Sequence, residues 1–260
     1  MTASDTLGTT SVDPTETEKF ARLAAEWWDP KGSFRPLHKF NPVRLRFLRD
    51  EIARHFGRDQ TSSGVGRPFE GLRVVDIGCG GGLLCEPLCR LGADVVGVDA
   101  AAQNIDIARA HATGQGLAID YRATTAEAIL EGRERFDVVL AMEIVEHVAD
   151  GPAFLRSCAG LLAPGGLMVV ATLNRTRKAF ALAIVGAEHI LRWLPKGTHQ
   201  WEKFVTPGEV RDALIWEGLT VEAPVGVVYS PLQDAFKLSR DTDVNYMMVV
   251  RRPADAPSND

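Results

Sequence analysis

The sequence predicts an α/β fold: a doubly wound, mostly parallel sheet of seven strands with an antiparallel last strand. Three observations carry that expectation. The run Val74–Asp99, VVDIGCGGGLLCEPLCRLGADVVGVD, reads as strand, glycine-rich turn, helix, second strand and terminal acid. Short apolar runs then alternate with helical periodicity as far as Val250. The chain is also long enough, at 260 residues and 45% hydrophobic, to bury one substantial core.

Residues 1–18 are polar, threonine-rich and acidic, and are expected to form a disordered tail. They lack the arginine-rich amphipathic pattern of a transit peptide. Phe20 to Trp28 has helical spacing and stops before Pro30. A loop with Pro36 leads to Asn41-Pro42, a helix-start signal with proline at the first helical position; Val43, Leu45, Phe47, Leu48 and Ile52 follow. Together 19–57 form a helical cap, locally basic through Arg35, His38, Lys39, Arg44 and Arg46. A connector, Arg58 to Glu70, leads into the main domain at 71–253.

In the main domain, Val74 to Ile77 is the first strand, and Gly78, Gly80, Gly81 and Gly82 allow a sharp turn close to a ligand. Leu83, Leu84, Leu88 and Leu91 give the next helix an apolar face. Val95 to Val98 is the second strand, and Asp99 at its end is placed to accept ribose hydroxyls. Ala101 to Ala112 is a helix and Ala118 to Arg122 the third strand; Phe136 to Met142 is the fourth. Pro152 to Leu162 is a helix, Pro164-Gly165-Gly166 a turn, and Leu167 to Thr172 the fifth strand. Thr206 caps a late helix through Trp216, and 219–228 and 244–250 supply the last strands, the final one antiparallel.

Net charge is −5, which gives no support to a nucleic-acid partner. The four cysteines, Cys79, Cys85, Cys89 and Cys158, include no C-x-x-C pair and suit a reducing cytoplasm. No apolar run is long enough to span a bilayer.

Chemistry concentrates at the strand ends. Dinucleotide sites favour G-x-G-x-x-G with a helix N-terminus facing a pyrophosphate. Here the pattern is D-I-G-C-G-G-G, and Asp76 before the turn would repel a pyrophosphate but hold a cationic amino group. This D-x-G-x-G-x-G form resembles motif I of class I methyltransferases, whose cofactor is S-adenosylmethionine. Those enzymes usually carry an acid for the adenine amino group after the third strand. Thr125 stands there instead, leaving the contact to the Ala126 backbone or another polar group.

After the fourth strand come Glu143, Glu146 and His147. In a helical turn they would stand at i, i+3 and i+4 on one face, a set suited to Mg²⁺ or Mn²⁺. The other reading is a glutamate capping a turn, with the histidine structural or a general base.

Between the fifth strand and Phe204 lies a helical insertion, 174–203, longer than ordinary connections. Lys178 to Leu194 is largely apolar, with basic flanks and Trp193. It suits a helix lying in a membrane interface, or a lid over the site, and one helix can do both.

Several segments together resemble the ubiquinone-biosynthesis O-methyltransferases. They are WWDPKGSFRPLHKFNPVRL, VVDIGCGGG, AMEIVEHV, TLNRTRKAFALAIVGAEHILRWLPKGTHQWEKF and DVNYMM, within about Phe20 to Val250. The resemblance implies a class I, Rossmann-like methyltransferase domain acting on ring hydroxyls of polyprenyl phenols and quinols. It implies Arg44, Gly78, Asp99 and Met142 as S-adenosylmethionine contacts, beside Asp76, Gly80 and Ala126 from the motif reading. It also implies Glu143, Glu146 and His147 as ligands of a divalent metal, Mg²⁺, and residues 178–200 as a membrane-lipid element. A cytoplasmic enzyme peripheral on the inner membrane face, meeting other ubiquinone-biosynthesis proteins, fits that role. His147 is the candidate base, with His199 also eligible. The rival readings are a C-methyltransferase on a quinone-type ring and a cofactor-binding scaffold subunit.

Overall fold

The computed structural model describes residues 10–58, 66–182 and 201–254. Its first helix, α1 (Pro14–Arg22), starts inside the stretch expected to be a tail. Asp13 caps it, its side chain accepting from Thr15 N at 2.9 Å and Glu16 N at 3.4 Å, and Pro14 sits in the first turn. Such a cap is worth about 1 kcal/mol. Residues 10–18 are thus ordered, because the chain before α1 is also held: Val12 bridges Val148 antiparallel, and Ala149 N donates to Ser11 O at 2.7 Å.

A short 3₁₀ turn (Ala24–Glu26) leads to α2 (Arg35–His55), which begins before the expected Pro42 start. Pro36 occupies its first turn. Pro42 lies inside, where its missing N–H removes one helical bond. Burial of Phe40, Val43, Phe47, Leu48 and Ile52 on one face carries the helix through that defect.

The sheet alternates strand and helix: β1 (Arg73–Ile77), α3 (Cys85–Arg90), β2 (Asp94–Asp99), α4 (Ala102–Gly114), β3 (Asp120–Ala123) and α5 (Ala126–Glu131). Then come β4 (Phe136–Met142), α6 (Gly151–Gly160), β5 (Leu162–Leu173), a single turn α7 (Arg177–Ala179) and α8 (Pro207–Ile215). The chain closes with β6 (Thr220–Val221), β7 (Val225–Ser230), β8 (Ala235–Ser239) and β9 (Asn245–Arg251). Strand order is β3-β2-β1-β4-β5-β9-β7-β8, with β6 also pairing β9.

Strands β1 to β5 pair in parallel, and β9 runs antiparallel between β5 and β7. The expected mostly parallel sheet with an antiparallel final strand is therefore found, with nine strands among the described residues rather than seven. The additional β6 has two residues, and β8 is an edge strand whose largely exposed face gives little apolar alternation.

Period-two alternation divides the core. Val74, Val95, Val138 and Leu140 face α2, α3 and α4, while Val75, Val96, Val139 and Ala141 face α5, α6 and α8. Strand order reverses between β1 and β4, so a crevice opens at their C-terminal ends, where Gly78, Asp99 and Met142 lie. Among the described residues, no helix is long and apolar enough to cross a membrane. Residues 183–200, most of the expected lipid-binding helix, and His199 with them, lie outside the described residues.

Candidate active site

The glycine turn is locked to the neighbouring strand. Gly78 N and Cys79 N both donate to Val98 O, at 2.8 and 2.9 Å, and Gly80 N donates to Asp99 Oδ2 at 2.9 Å. The other Asp99 oxygen accepts from Ala101 N at 2.8 Å and Asn104 Nδ2 at 3.1 Å. Asp99 thus fixes the turn and the start of α4 while lining the crevice.

The N-terminal helices lie across this turn. Trp27 Nε1 donates to Asn104 Oδ1 at 2.9 Å, and Trp28 Nε1 to Gly81 O at 2.9 Å. Trp27 stacks on Phe34 with ring centroids 3.7 Å apart. Asn41 Nδ2 donates to Leu83 O at 2.9 Å, tying α2 to the end of the turn. Both tryptophans therefore touch the motif itself.

Two cavities result, of about 740 and 930 Å³ including their open mouths. The first is lined by Asp99, Ala100, Thr125 and Ala126 under residues of α1. The second holds Arg44, Asp76, Met142 and Glu146 beside an apolar wall of Leu23, Phe34, Leu37 and Leu83. They share Phe20, Trp27, Gly78, Glu143 and His147. Among the described expected site residues only Gly80 lines neither cavity; its N–H bonds Asp99, which does.

Burial makes the charges in this crevice uneasy. It pushes the Asp76 carboxyl up to about 7, despite a Cys85 thiol contact at 3.4 Å and the nearby Arg44. It raises Asp99 as well, opposed by the donors at Ala101 and Gly80. Arg44 is buried, with its pKa lowered by desolvation against the pull of Glu143 and Asp76. Its Nη2 donates to Asn41 Oδ1 at 3.0 Å, and Nε is buried with no hydrogen-bond partner. A ligand bearing both an anion and a cation would relieve Arg44 and the two aspartates together.

The segment after β4 departs from the expected helical turn. Glu143 N still bonds Ala171 O of β5 at 2.8 Å, but Glu143 has φ +58, and a 3₁₀ turn begins only at Val145. The left-handed residue breaks the i, i+3, i+4 geometry on which the three-ligand face depended. Glu146 is buried and accepts from Thr172 Oγ1 at 2.8 Å, while His147 Nδ1 lies 2.8 Å from Glu16 Oε2. Among the described residues no group of three or more His, Cys, Asp or Glu side chains is arranged to hold a metal ion. The carboxylates remain close enough to matter: burial, then the Glu143 charge, push Glu146 up to about 8.

Glu16, Phe20, Trp27 and Asn104 were not picked out from the sequence as site residues. For Glu16 a signal existed: Asp13-Pro14-Thr15-Glu16 is an N-cap, a first-turn proline and an N3 glutamate. Thr125, the departure from the usual acid, caps α5 by accepting from Ala128 N at 3.3 Å.

A family model described as "Methyltransferase domain" matches residues 38–223. The chain is 59% identical to the ubiquinone biosynthesis O-methyltransferase of Sinorhizobium medicae (strain WSM419), over 94% of this chain and 97% of that one. It is 60% identical to the protein of the same name from Maricaulis maris (strain MCS10), over 97% and 98%. In three dimensions it is similar to magnesium protoporphyrin IX methyltransferase from Synechocystis PCC 6803 with bound S-adenosylhomocysteine. That match has a TM-score of 0.61 at 16% identity and covers 91% of this chain and 95% of that one. It is also similar to a possible histamine N-methyltransferase from Thermotoga maritima, with a TM-score of 0.61 at 17% identity over 92% and 100%.

Proposed function

The chain belongs to the ubiquinone biosynthesis O-methyltransferase family, built on a methyltransferase domain, and on that footing we infer that it O-methylates a ring hydroxyl in ubiquinone biosynthesis with S-adenosylmethionine as donor. The finer reading names 2-polyprenyl-6-hydroxyphenol and 3-demethylubiquinol as acceptors. The observation that supports it best is the meeting, at Gly78, Glu143 and His147, of a cavity lined by Asp99 and Ala126 with one that sets Arg44 and Asp76 beside an apolar wall.

In this reading Asp99 accepts the ribose hydroxyls and the Ala126 backbone meets the adenine. Arg44 pairs with the donor's carboxylate, Asp76 with its ammonium, and Gly78 and Met142 border the methyl group. The acceptor ring lies against Leu23, Phe34 and Leu37. A free phenol titrates near 10, so the enzyme must take its proton at neutral pH. His147, lining both cavities, is the acceptor of that proton. The donor supplies an electrophilic sulfonium methyl group. The protein's larger contribution is to hold oxygen, carbon and sulfur in line.

A second reading adds a divalent cation at Glu143, Glu146 and His147. The raised Glu146 carboxyl favours it, since a cation would offset the charge of Glu143 beside it. His147 would have to serve it while keeping its Glu16 contact.

Membrane contact through 178–200 is the remaining element of the proposal. Its described start exposes Phe180 and Leu182 beside Arg177 and Lys178.

One experiment tests these readings together: methyl transfer from labelled S-adenosylmethionine to a short-chain demethylubiquinol, with and without chelator, and to a long-chain acceptor in anionic vesicles. Transfer to the ring oxygen is expected. Transfer to carbon, or none with cofactor bound, overturns the O-methylation reading. Indifference to chelator overturns the metal reading, and failure of the enzyme to sediment with vesicles overturns the membrane one.

Asp76 gives a pH prediction. Its carboxyl is raised from 3.8 to about 7, so the unliganded native state binds more protons than the unfolded chain between those values. Its stability therefore falls as pH rises through that window. A cationic ligand needs the carboxylate, so donor affinity should weaken about 5- to 10-fold from pH 7.5 to 6. Calorimetry should find this slope in the wild type and lose it in Asp76→Asn. An unchanged slope in the variant would remove Asp76 from the ammonium site.

A further inference from the structure

A closed circuit of contacts runs around the glycine turn and through α4. Asp99 Oδ2 accepts from Gly80 N at 2.9 Å, and the Trp27 ring lies so close to Gly80 that an added Cβ would overlap it. Trp27 Nε1 donates to Asn104 Oδ1 at 2.9 Å, and Asn104 Nδ2 donates back to Asp99 Oδ1 at 3.1 Å. Asn104, only 1% exposed, is the side chain that closes the ring.

The chemistry at its two ends leaves the amide one orientation. An indole N–H only donates, so the amide oxygen must face Trp27. Asp99 already meets a backbone N–H at each oxygen, from Ala101 and Gly80, so it serves as an acceptor and the amide nitrogen must face it. A carboxylate in place of the amide would set like charges together. An apolar side chain would leave the indole N–H buried without its partner.

The two groups so joined serve different cavities. Asp99 lines the first, while Trp27 lines both and stacks at 3.7 Å on Phe34, part of the apolar wall of the second. Docking of the N-terminal helices has its own contacts alongside. Trp28 Nε1 bonds Gly81 O at 2.9 Å, and its ring stacks at 3.6 Å on His111, about two turns further along α4.

We propose that Asn104 is a positioning residue for both substrates: it aims the Asp99 carboxylate at the donor's ribose and holds the Trp27–Phe34 stack against which the acceptor ring lies. The proposal rests on the reading of Asp99 as the ribose acceptor and of the two cavities as donor and acceptor sites. One amide thus sets the walls on both sides of the transferring methyl group, where small displacements cost rate. Its two ends are separable by chemistry, because a carboxylate at this position still accepts from Trp27 but repels Asp99.

The test uses the full chain with Asn104→Asp and Asn104→Leu. S-adenosylhomocysteine affinity is read by calorimetry, and KM for a short-chain demethylubiquinol is read at saturating donor. At pH 7.5 Asn104→Asp should weaken S-adenosylhomocysteine by about 30-fold or more, with acceptor KM within about 3-fold of the wild type. Asn104→Leu loses both bonds, so it should weaken S-adenosylhomocysteine about 10-fold and raise acceptor KM about 5-fold or more. At pH 5.5 the introduced carboxyl and Asp99 should share one proton, and the new O–H then stands in for the amide N–H. The affinity of Asn104→Asp relative to the wild type at the same pH should recover to within about 5-fold. Asp76 and Cys79, acids near Asp99, are present in both proteins and cancel in that ratio.

Losses that are alike in the two variants on both readouts would make Asn104 a packing residue only and overturn the proposal. Donor affinity within about 3-fold of the wild type in both variants would do the same. Wild-type-like binding of S-adenosylhomocysteine by Asp99→Ala would instead overturn the ribose reading beneath it, a distinct result. Should Asn104→Leu fail to fold, Asn104→Asp decides alone, and a relative affinity that stays flat between pH 7.5 and 5.5 overturns the assignment. Should neither fold, exchange of the Trp27 indole proton in the wild type decides: slowing on addition of S-adenosylhomocysteine supports the assignment, and an unchanged rate overturns it.

Discussion

Replacing Asp99 with alanine should weaken S-adenosylmethionine binding by at least 100-fold, read by calorimetry. Hydrogen bonds to a charged acceptor are worth about 1.5–3 kcal/mol each. Two ribose hydroxyls together therefore correspond to about 3–6 kcal/mol, roughly 10² to 10⁴ in affinity. The carboxylate also accepts from Gly80 N, Ala101 N and Asn104 Nδ2, so its loss loosens the turn that shapes the cavity. Asp99→Asn keeps the volume and one carbonyl oxygen, and should fall between the two. Affinity within about 3-fold of the wild type in Asp99→Ala would remove Asp99 from the ribose site.

Gly80→Ala should be severely damaging for so small a substitution, costing about 3–5 kcal/mol of stability in denaturant unfolding. Gly80 has φ +53, and a left-handed alanine alone costs about 1–2 kcal/mol. The larger share is steric. A Cβ there would overlap the Trp27 ring, which could move only by giving up its bond to Asn104 and its stack on Phe34. In a Trp27→Ala background the same substitution should therefore cost only the backbone share. An equal cost in both backgrounds would show that the indole is not what forbids the side chain.

What was legible in the sequence followed from local rules. The strand–glycine–helix–strand run placed Gly78, Gly80 and Asp99 at one sheet edge, because a short apolar strand before a glycine cluster has few other ways to pack. Valine-rich β1, β2 and β4 could be read because both faces of each are buried. The geometry after β4 could not. Its bend depends on a left-handed backbone at Glu143, and nothing in a glutamate announces that conformation. Nor could composition disclose that a polar, acidic N-terminal stretch packs as α1. Glu16 and Phe20 look unremarkable until the fold brings His147 beneath them. The edge strand β8 was missed for the opposite reason, since it buries too little to leave a pattern.

The roof over the crevice also bears on biosynthesis of the chain. Synthesised well before their partners, the residues around α1 find them late: Ser11 waits 116 residues for Glu127, Glu16 waits 131 for His147, and Asp13 waits 190 for Lys203. Contacts of such sequence separation form slowly and only once most of the chain is available. A nascent chain halted after β4 holds the glycine motif and Asp99 but neither His147 nor Lys203. The site is therefore completed by segments far apart in sequence, and the wall that α1 forms is set in place only after them.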